Sequence, residues 1–128
     1  MKGKANNVIR IPTSKDGFFK YWILFTRPFH SLTEKEMDVT ASLLKHRYNL
    51  SKVILDDGVL DTVLFSEDVK NKIKAECDIS SAFFQVILGK LRKVGILKEG
   101  KINPRFIPNF KDEEDFKLLL YFDIDETE

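Results

Sequence analysis

The sequence predicts a single α+β domain in which two helices joined by a short turn are followed by a β-hairpin. Apolar residues recur at helical spacing between residues 33 and 94, which predicts amphipathic helices. The junction at 77–81 is short enough to be the turn of a helix-turn-helix. An apolar, turn, apolar pattern at 96–102 predicts the hairpin. A chain of 128 residues, 43% of them hydrophobic, suits one domain with one core.

We expect three regions within this domain: an N-terminal arm and aromatic extension at 1–31, a core at 32–107, and an acidic C-terminal strand or tail at 108–128. In the extension, the apolar residues at 8–11 predict a short strand. The aromatic run at 18–25 is compatible with a buried helix or a strand. Helical spacing of its aromatic residues, with Asp16 available as a cap, favours the helix. Pro28 then ends it, because the residue before a proline avoids the helical conformation.

The strongest helix start in the chain is the capping box formed by Thr33 and Glu36. In such a box the threonine side chain accepts a backbone N–H, and the glutamate reaches back to the threonine N–H. A helix is therefore predicted from about residue 33 to residue 49. The Asp-Asp-Gly sequence at 56–58 predicts a turn, and residues 53–64 are expected to form a loop with a short apolar piece.

Two further helices are predicted before the hairpin. Ser66 starts a short one that turns Val69, Ile73 and Cys77 inward. A serine at 80 or 81 caps the next, which continues to about residue 94 before a glycine stops it. After the hairpin, the prolines at 104 and 108 are expected to keep the chain extended, and residues 116–124 predict a strand.

The composition argues against an enzyme, a metal site and a membrane span. The only cysteine, Cys77, cannot form an internal disulfide, and His30 and His46 have no evident acid, nucleophile or metal partner. We expect no cofactor and no small-molecule substrate, since no glycine-rich phosphate loop is present. The longest apolar runs fall well short of the roughly 20 residues that a membrane span needs. The expectation is a soluble, non-enzymatic protein of a reducing compartment.

The net charge of +1 conceals an asymmetry along the chain. Residues 112–128 contain eight acids and one lysine, whereas residues 1–111 contain 20 basic and 12 acidic side chains. The body of the protein is thus basic enough to attract phosphate groups, and the tail either competes for that surface or keeps the protein soluble.

Residues 79–97 resemble the recognition helix and first wing strand of winged helix-turn-helix proteins. These include multiple-antibiotic-resistance-type regulators and plasmid replication initiators. The resemblance covers residues 33–107 and implies that the hairpin is the wing. The shared features are an isoleucine before the serine cap, three apolar core positions and a glycine leading into the wing, which are Ile79, Phe84, Leu88, Leu91 and Gly95.

Three segments, LTEKE at 32–36, LFS at 64–66 and GKINPRFIPN at 100–109, resemble small winged-helix proteins of crAss-like tailed phages. This resemblance implies a phage protein found in the virion or in the cytoplasm of the host bacterium. One alternative is a virion structural protein of the portal or head-to-tail region. The other is a DNA-binding transcriptional regulator or replication accessory protein.

The outward face of the predicted recognition helix distinguishes these two functions. If the three apolar positions face the core, only Ser81 and Gln85 point outward with side chains that can read a base. The remaining outward positions form an apolar patch, which is typical of a protein interface. We assign to that interface the residues Ala82, Phe83, Val86 and Ile87.

Three interpretations of this patch stay open. It packs under the aromatic extension, it contacts a partner protein, or it makes an apolar contact in a DNA groove. Basic residues near the helix end and in the hairpin can touch phosphates without specifying sequence, and these are Lys90, Arg92, Lys93, Lys98 and Lys101. We therefore expect protein–protein contacts, with other virion proteins or by self-association, and at most weak binding to duplex DNA.

Overall fold

A computed structural model describes residues 8–109 and 115–125. This part of the chain has an α+β architecture that is mostly helical, with five α-helices and one small antiparallel sheet of two strands. No helix in it is long and apolar enough to cross a membrane. The elements are α1 (Lys15–Phe25), α2 (Glu34–Ser51), α3 (Asp57–Leu64), α4 (Glu67–Cys77), α5 (Ser81–Lys93), β1 (Leu97–Lys98) and β2 (Lys101–Ile102).

The aromatic run of the N-terminal extension is a helix, α1, as its spacing predicts. Its cap is Ser14 rather than Asp16, because the Ser14 side chain accepts the Gly17 N–H at 3.0 Å and Asp16 lies in the first turn. The strand predicted at 8–11 is wrong. These residues are exposed and lie in no strand, since a β-strand needs a neighbouring strand to satisfy its backbone groups.

Helix α2 is the central element and contacts α1, α3, α4 and α5. The predicted capping box is confirmed: the Thr33 N–H donates to Glu36 Oε1 at 2.9 Å, and the Glu36 N–H donates to Thr33 Oγ1 at 3.4 Å. Leu32 and Met37, on either side of the cap, are both buried. The first turn of α2 is therefore held both by hydrogen bonds and by apolar packing.

The loop predicted at 53–64 is wrong over most of its length, because α3 occupies it. Asp56 does not make a turn; it caps this helix by accepting the Val59 N–H at 3.0 Å. Leu60 and Leu64 are fully buried. A helix of eight residues is marginal by itself, and burial of these leucines supplies the stabilisation that local signals do not indicate.

The predicted pair of helices, α4 and α5, is confirmed. Ser66 caps α4, whose Val69, Ile73 and Cys77 are buried. The junction at 78–80 passes through a left-handed residue, and Ser80 then caps α5 by accepting the Phe83 N–H at 3.1 Å. Two helices joined by three residues, followed by a hairpin, are compatible with a winged-helix-like arrangement.

The predicted hairpin is also confirmed, with Leu97 opposite Ile102 and Lys98 opposite Lys101. Glu99 and Gly100 make the two-residue turn, and both have positive φ angles, of 56° and 78°. Such angles match the right-handed twist of paired strands, and a glycine adopts them without strain.

Two predictions for the region after the hairpin are wrong. Residues 104–106 form a short 3-10 helix rather than an extended stretch, with Asn103 as its cap. Residues 115–125 contain no strand and are almost entirely exposed; the acids at 112–114 and 126–128 lie outside the described residues. The 3-10 helix contacts α1 through a hydrogen bond of 2.8 Å, which Trp22 Nε1 donates to the Phe106 carbonyl.

Candidate functional site

The phase of α5 is the one that the sequence predicts, except at Ile87. Phe84, Leu88 and Leu91 are buried, as expected for the core-facing stripe. Ile87 is 0% exposed, so its assignment to the outward interface is wrong. Positions 84, 87, 88 and 91 are related by steps of three and four residues, and one apolar stripe of a helix includes all of them.

The outward face of α5 nevertheless carries exposed apolar side chains. Phe83 is 42% exposed and Val86 is 66% exposed, with Ala82 exposed beside them. We call Ala82, Phe83 and Val86 the apolar patch. Of the two polar candidates, Ser81 accepts a hydrogen bond from Lys74 Nζ at 3.0 Å. Gln85 is exposed and is the remaining side chain on this face with base-reading chemistry.

Basic residues extend from the last turns of α5 into the hairpin. We call Lys90, Arg92, Lys93, Lys98 and Lys101 the basic cluster, and none of them forms an ion pair within residues 8–109 and 115–125. Lys98 and Lys101 are directly opposite each other on the two strands, where like charges repel. A groove of about 260 Å³ between α5 and the hairpin is lined by Gln85, Arg92 and Lys98, among others.

A second cluster of polar groups surrounds Glu76, near the end of α4. Ser42 Oγ donates to Glu76 Oε1 at 2.7 Å, Lys45 Nζ donates to the same oxygen at 3.0 Å, and His46 Nε2 lies 3.0 Å from Oε2. The expectation that His46 has no acid partner is therefore wrong. Spacing of three and four residues places the three α2 groups on one face, but their partner comes from another helix, 30 residues away in sequence.

The pKa of Glu76 is lowered by this arrangement. Partial burial raises it, but the hydrogen bonds from Ser42 and Lys45 and the positive charges of His46 and Lys45 outweigh burial. The net shift is opposite at the neighbouring Cys77, where burial first, and the charges of Asp38 and Glu76 next, raise the pKa of the thiol. The expectation that Cys77 is a small buried residue is confirmed.

Glu76→Gln is expected to destabilise the protein at neutral pH by on the order of 1 kcal/mol, because the carboxylate is about one-third exposed and water screens its contacts. A lowered folded-state pKa contributes stability above the ordinary glutamate value of 4.5, and this contribution is lost as the pH falls through the folded-state value. In urea titrations, the difference in the free energy of unfolding between wild type and Glu76→Gln should thus shrink below about pH 4.5. A difference that grows towards acid pH would contradict this linkage.

The polar groups around Glu76 bond to one another, whereas the side chains of the apolar patch and the basic cluster are largely exposed. Around Glu76, the carboxylate lies between Ser42 and His46 and bonds to both, whereas a hydrolytic triad places the histidine between the nucleophile and the acid. On α5 and the hairpin, the apolar patch is exposed, and so is the basic cluster apart from the half-buried Lys90. Comparisons with known protein families, curated proteins and solved structures find no match to this chain.

Proposed function

We propose that this protein is a non-enzymatic winged-helix module that binds another protein through the outward face of α5. The exposure of Phe83 and Val86 on that face carries the proposal. In this fold α5 corresponds to the recognition helix and the β1–β2 hairpin to the wing. The resemblance of its sequence segments to proteins of crAss-like phages supports a role as a virion structural protein of the head-to-tail region.

The chemistry of the apolar patch favours a protein partner over DNA. Full burial of a phenylalanine or a valine contributes about 1.5–3 kcal/mol, and a protein surface supplies the apolar contacts that this requires. Base edges in the major groove offer mainly donors and acceptors, and the thymine methyl is their principal apolar group. Gln85 is a single candidate for reading such edges, since Ser81 already bonds to Lys74.

The basic cluster supports the second candidate, a winged-helix DNA-binding regulator or replication accessory protein. Its five side chains lie at the end of α5 and in the hairpin, where the wing of such a protein approaches the phosphate backbone. Contacts with phosphate position a protein on DNA but do not specify sequence. Weak, sequence-independent binding to duplex DNA is the result that this cluster supports.

Salt dependence separates the two functions. Binding to phosphates releases counterions, so affinity for DNA should fall steeply as salt rises, whereas an apolar interface is far less sensitive. We expect fluorescence anisotropy with duplex DNA to show binding at low salt that vanishes near about 150 mM. Tight, sequence-selective binding that survives this salt concentration would favour the regulator.

The protein interface is tested by Phe83→Asp, which is expected to abolish assembly with the other virion proteins in light-scattering mass measurements. Phe83 is 42% exposed, so the variant is expected to stay folded with an unchanged circular dichroism spectrum and a modestly lower melting temperature, because part of the ring is buried. The matched control is Val53→Asp, which places the same charge at an exposed apolar residue outside α5. Assembly that tolerates Phe83→Asp as well as Val53→Asp would contradict the proposed interface.

A further inference from the structure

The C-terminal segment contains the longest run of exposed apolar side chains in the described chain. It begins at Phe116, whose ring packs against those of Phe18 and Trp22 at centroid distances of 5.0 and 5.7 Å. Beyond this anchor, Leu119 and Tyr121 are 89% and 82% exposed. We call residues 117–125 the tail segment.

Exposure alternates over residues 118–121 of the tail segment, and beyond them Phe122 and Ile124 are 77% and 76% exposed. Leu118 and Leu120 are about half exposed, whereas Leu119 and Tyr121 are almost fully exposed. Alternation with a period of two is typical of an extended chain with one side against a surface. Its other side presents large apolar groups to water, and within the described residues no strand or helix covers them.

The order of apolar and charged groups in the tail matches that on α5. After Lys117 the tail segment is apolar from Leu118 to Phe122, and then Asp123 and Asp125 flank Ile124, with two further acids following in the sequence. On α5 the apolar patch comes first and the basic cluster follows. The two surfaces are therefore complementary both in hydrophobicity and in charge.

The distance from the apolar groups to the charged groups is also similar on α5 and on the tail segment. Along a helix that rises 1.5 Å per residue, Lys90 and Lys93 lie about 6–10 Å beyond Val86. In an extended chain that rises about 3.3 Å per residue, Asp123 and Asp125 lie about 7–13 Å beyond Tyr121. A tail with Tyr121 on the apolar patch thus brings its acids alongside the basic residues of α5.

Gly89 lies between the two parts of the α5 surface. Glycine within a helix is less stable than alanine by about 1 kcal/mol, and apart from the adjacent backbone of α5 no atom lies within 4 Å of the position that a Cβ would take there. The described chain therefore leaves room for a side chain at residue 89, and crowding does not explain why a glycine occupies this position. A missing side chain lets the backbone of another segment approach the helix closely.

We propose that the tail segment of one copy of this chain binds the apolar patch and basic cluster of a second copy, head to tail. This inference rests on the proposed function and names the partner of the same α5 surface. Phe116 holds the start of the tail on α1 of its own chain, and in that chain the patch and the tail are exposed at the same time. A head-to-tail contact either closes into a ring or extends into a filament.

Complementary charge reversal tests the contact in the full-length protein. One variant carries Asp123→Lys and Asp125→Lys in the tail; the other carries Lys90→Glu, Arg92→Glu and Lys93→Glu on α5. Light scattering should give wild type a mass of at least twice 14.9 kDa. Each variant alone should be monomeric, and an equimolar mixture should regain the higher mass. Lys72→Glu, at an exposed residue of α4, is the control that should assemble as wild type does.

Two apolar substitutions complete the test. Tyr121→Asp should make the protein monomeric and leave its circular dichroism spectrum unchanged, since Tyr121 is 82% exposed, and Phe83→Asp should also be monomeric and folded. A monomeric wild type at high protein concentration and low salt would overturn the inference. So would mixed charge variants that stay monomeric, or a tail that binds only another protein or DNA.

The outcomes also separate this inference from the proposed function. Loss of assembly in Phe83→Asp but not in Tyr121→Asp would mean that the α5 surface binds something other than the tail, which overturns the inference alone. Assembly that tolerates Phe83→Asp, both between copies of this chain and with the other virion proteins, would overturn both.

Discussion

Leu91→Ala is expected to lower the free energy of unfolding by about 2–5 kcal/mol, the range for removing a fully buried leucine side chain. Leu91 is 0% exposed and belongs to the core cluster between α5 and the rest of the domain. Its removal forfeits the transfer free energy of three carbon atoms and leaves a cavity that the neighbouring helices fill only in part. The measurement is chemical denaturation. An unchanged dependence of the free energy of unfolding on denaturant concentration would indicate that the variant and the wild type expose the same amount of surface when they unfold.

The neighbouring Lys90→Ala is the control for this experiment. Lys90 is on the same helix but is not part of the core, so the expected change is within about 0.5 kcal/mol. A neutral Leu91→Ala together with a harmful Lys90→Ala would mean that α5 is rotated relative to the structure, and the apolar patch with it.

His30→Ala is expected to cost about 2–4 kcal/mol, because it removes a buried ring that satisfies two backbone groups. The Leu32 N–H donates to His30 Nδ1 at 3.0 Å, so the ring proton is assigned to Nε2, which donates to the Ile23 carbonyl at 2.9 Å. The ring therefore joins the end of α1 to the start of α2. Ser31, between the two contacts, has a positive φ angle of 56°, which costs energy in a residue with a side chain.

Hydrogen exchange tests the role of His30 locally, in addition to denaturation. The Leu32 amide should exchange faster in His30→Ala, because its acceptor is gone. His46→Ala is the matched control: His46 bonds to a partly exposed carboxylate, and the expected loss is below about 1 kcal/mol. Equal losses in the two variants would contradict the structural role assigned to His30.

His30 thus bonds to backbone groups in the core, whereas His46 has an acid partner that the sequence does not indicate. Both residues have ordinary local sequence contexts, and the difference between them comes from distant parts of the chain. His30 meets a carbonyl seven residues away, whereas His46 meets a carboxylate 30 residues away. Sequence spacing indicates which residues share a helix face, but it does not indicate which helix packs against that face.

The sequence by itself determined the elements whose stop and start signals are local. The capping box at Thr33, the serine caps of α4 and α5, and the Glu99–Gly100 turn each rest on contacts within a few residues. These contacts form wherever the segment lies in the fold, so the pattern of residues predicts them. The exposure of Phe83 and Val86 follows from the phase of α5 in the same way.

Only the tertiary structure decided the features that depend on a distant partner. Helix α3 forms because Leu60 and Leu64 are buried, although its first residues are typical of a turn. The segments at 8–11 and 116–124 have the composition of strands but lie in no strand, since a strand requires a second chain segment to accept its hydrogen bonds. Ile87 is buried because the core contact of α5 is one residue wider than the sequence pattern indicates. Periodicity gives the direction of a helix face, whereas the packing of neighbouring elements sets its width.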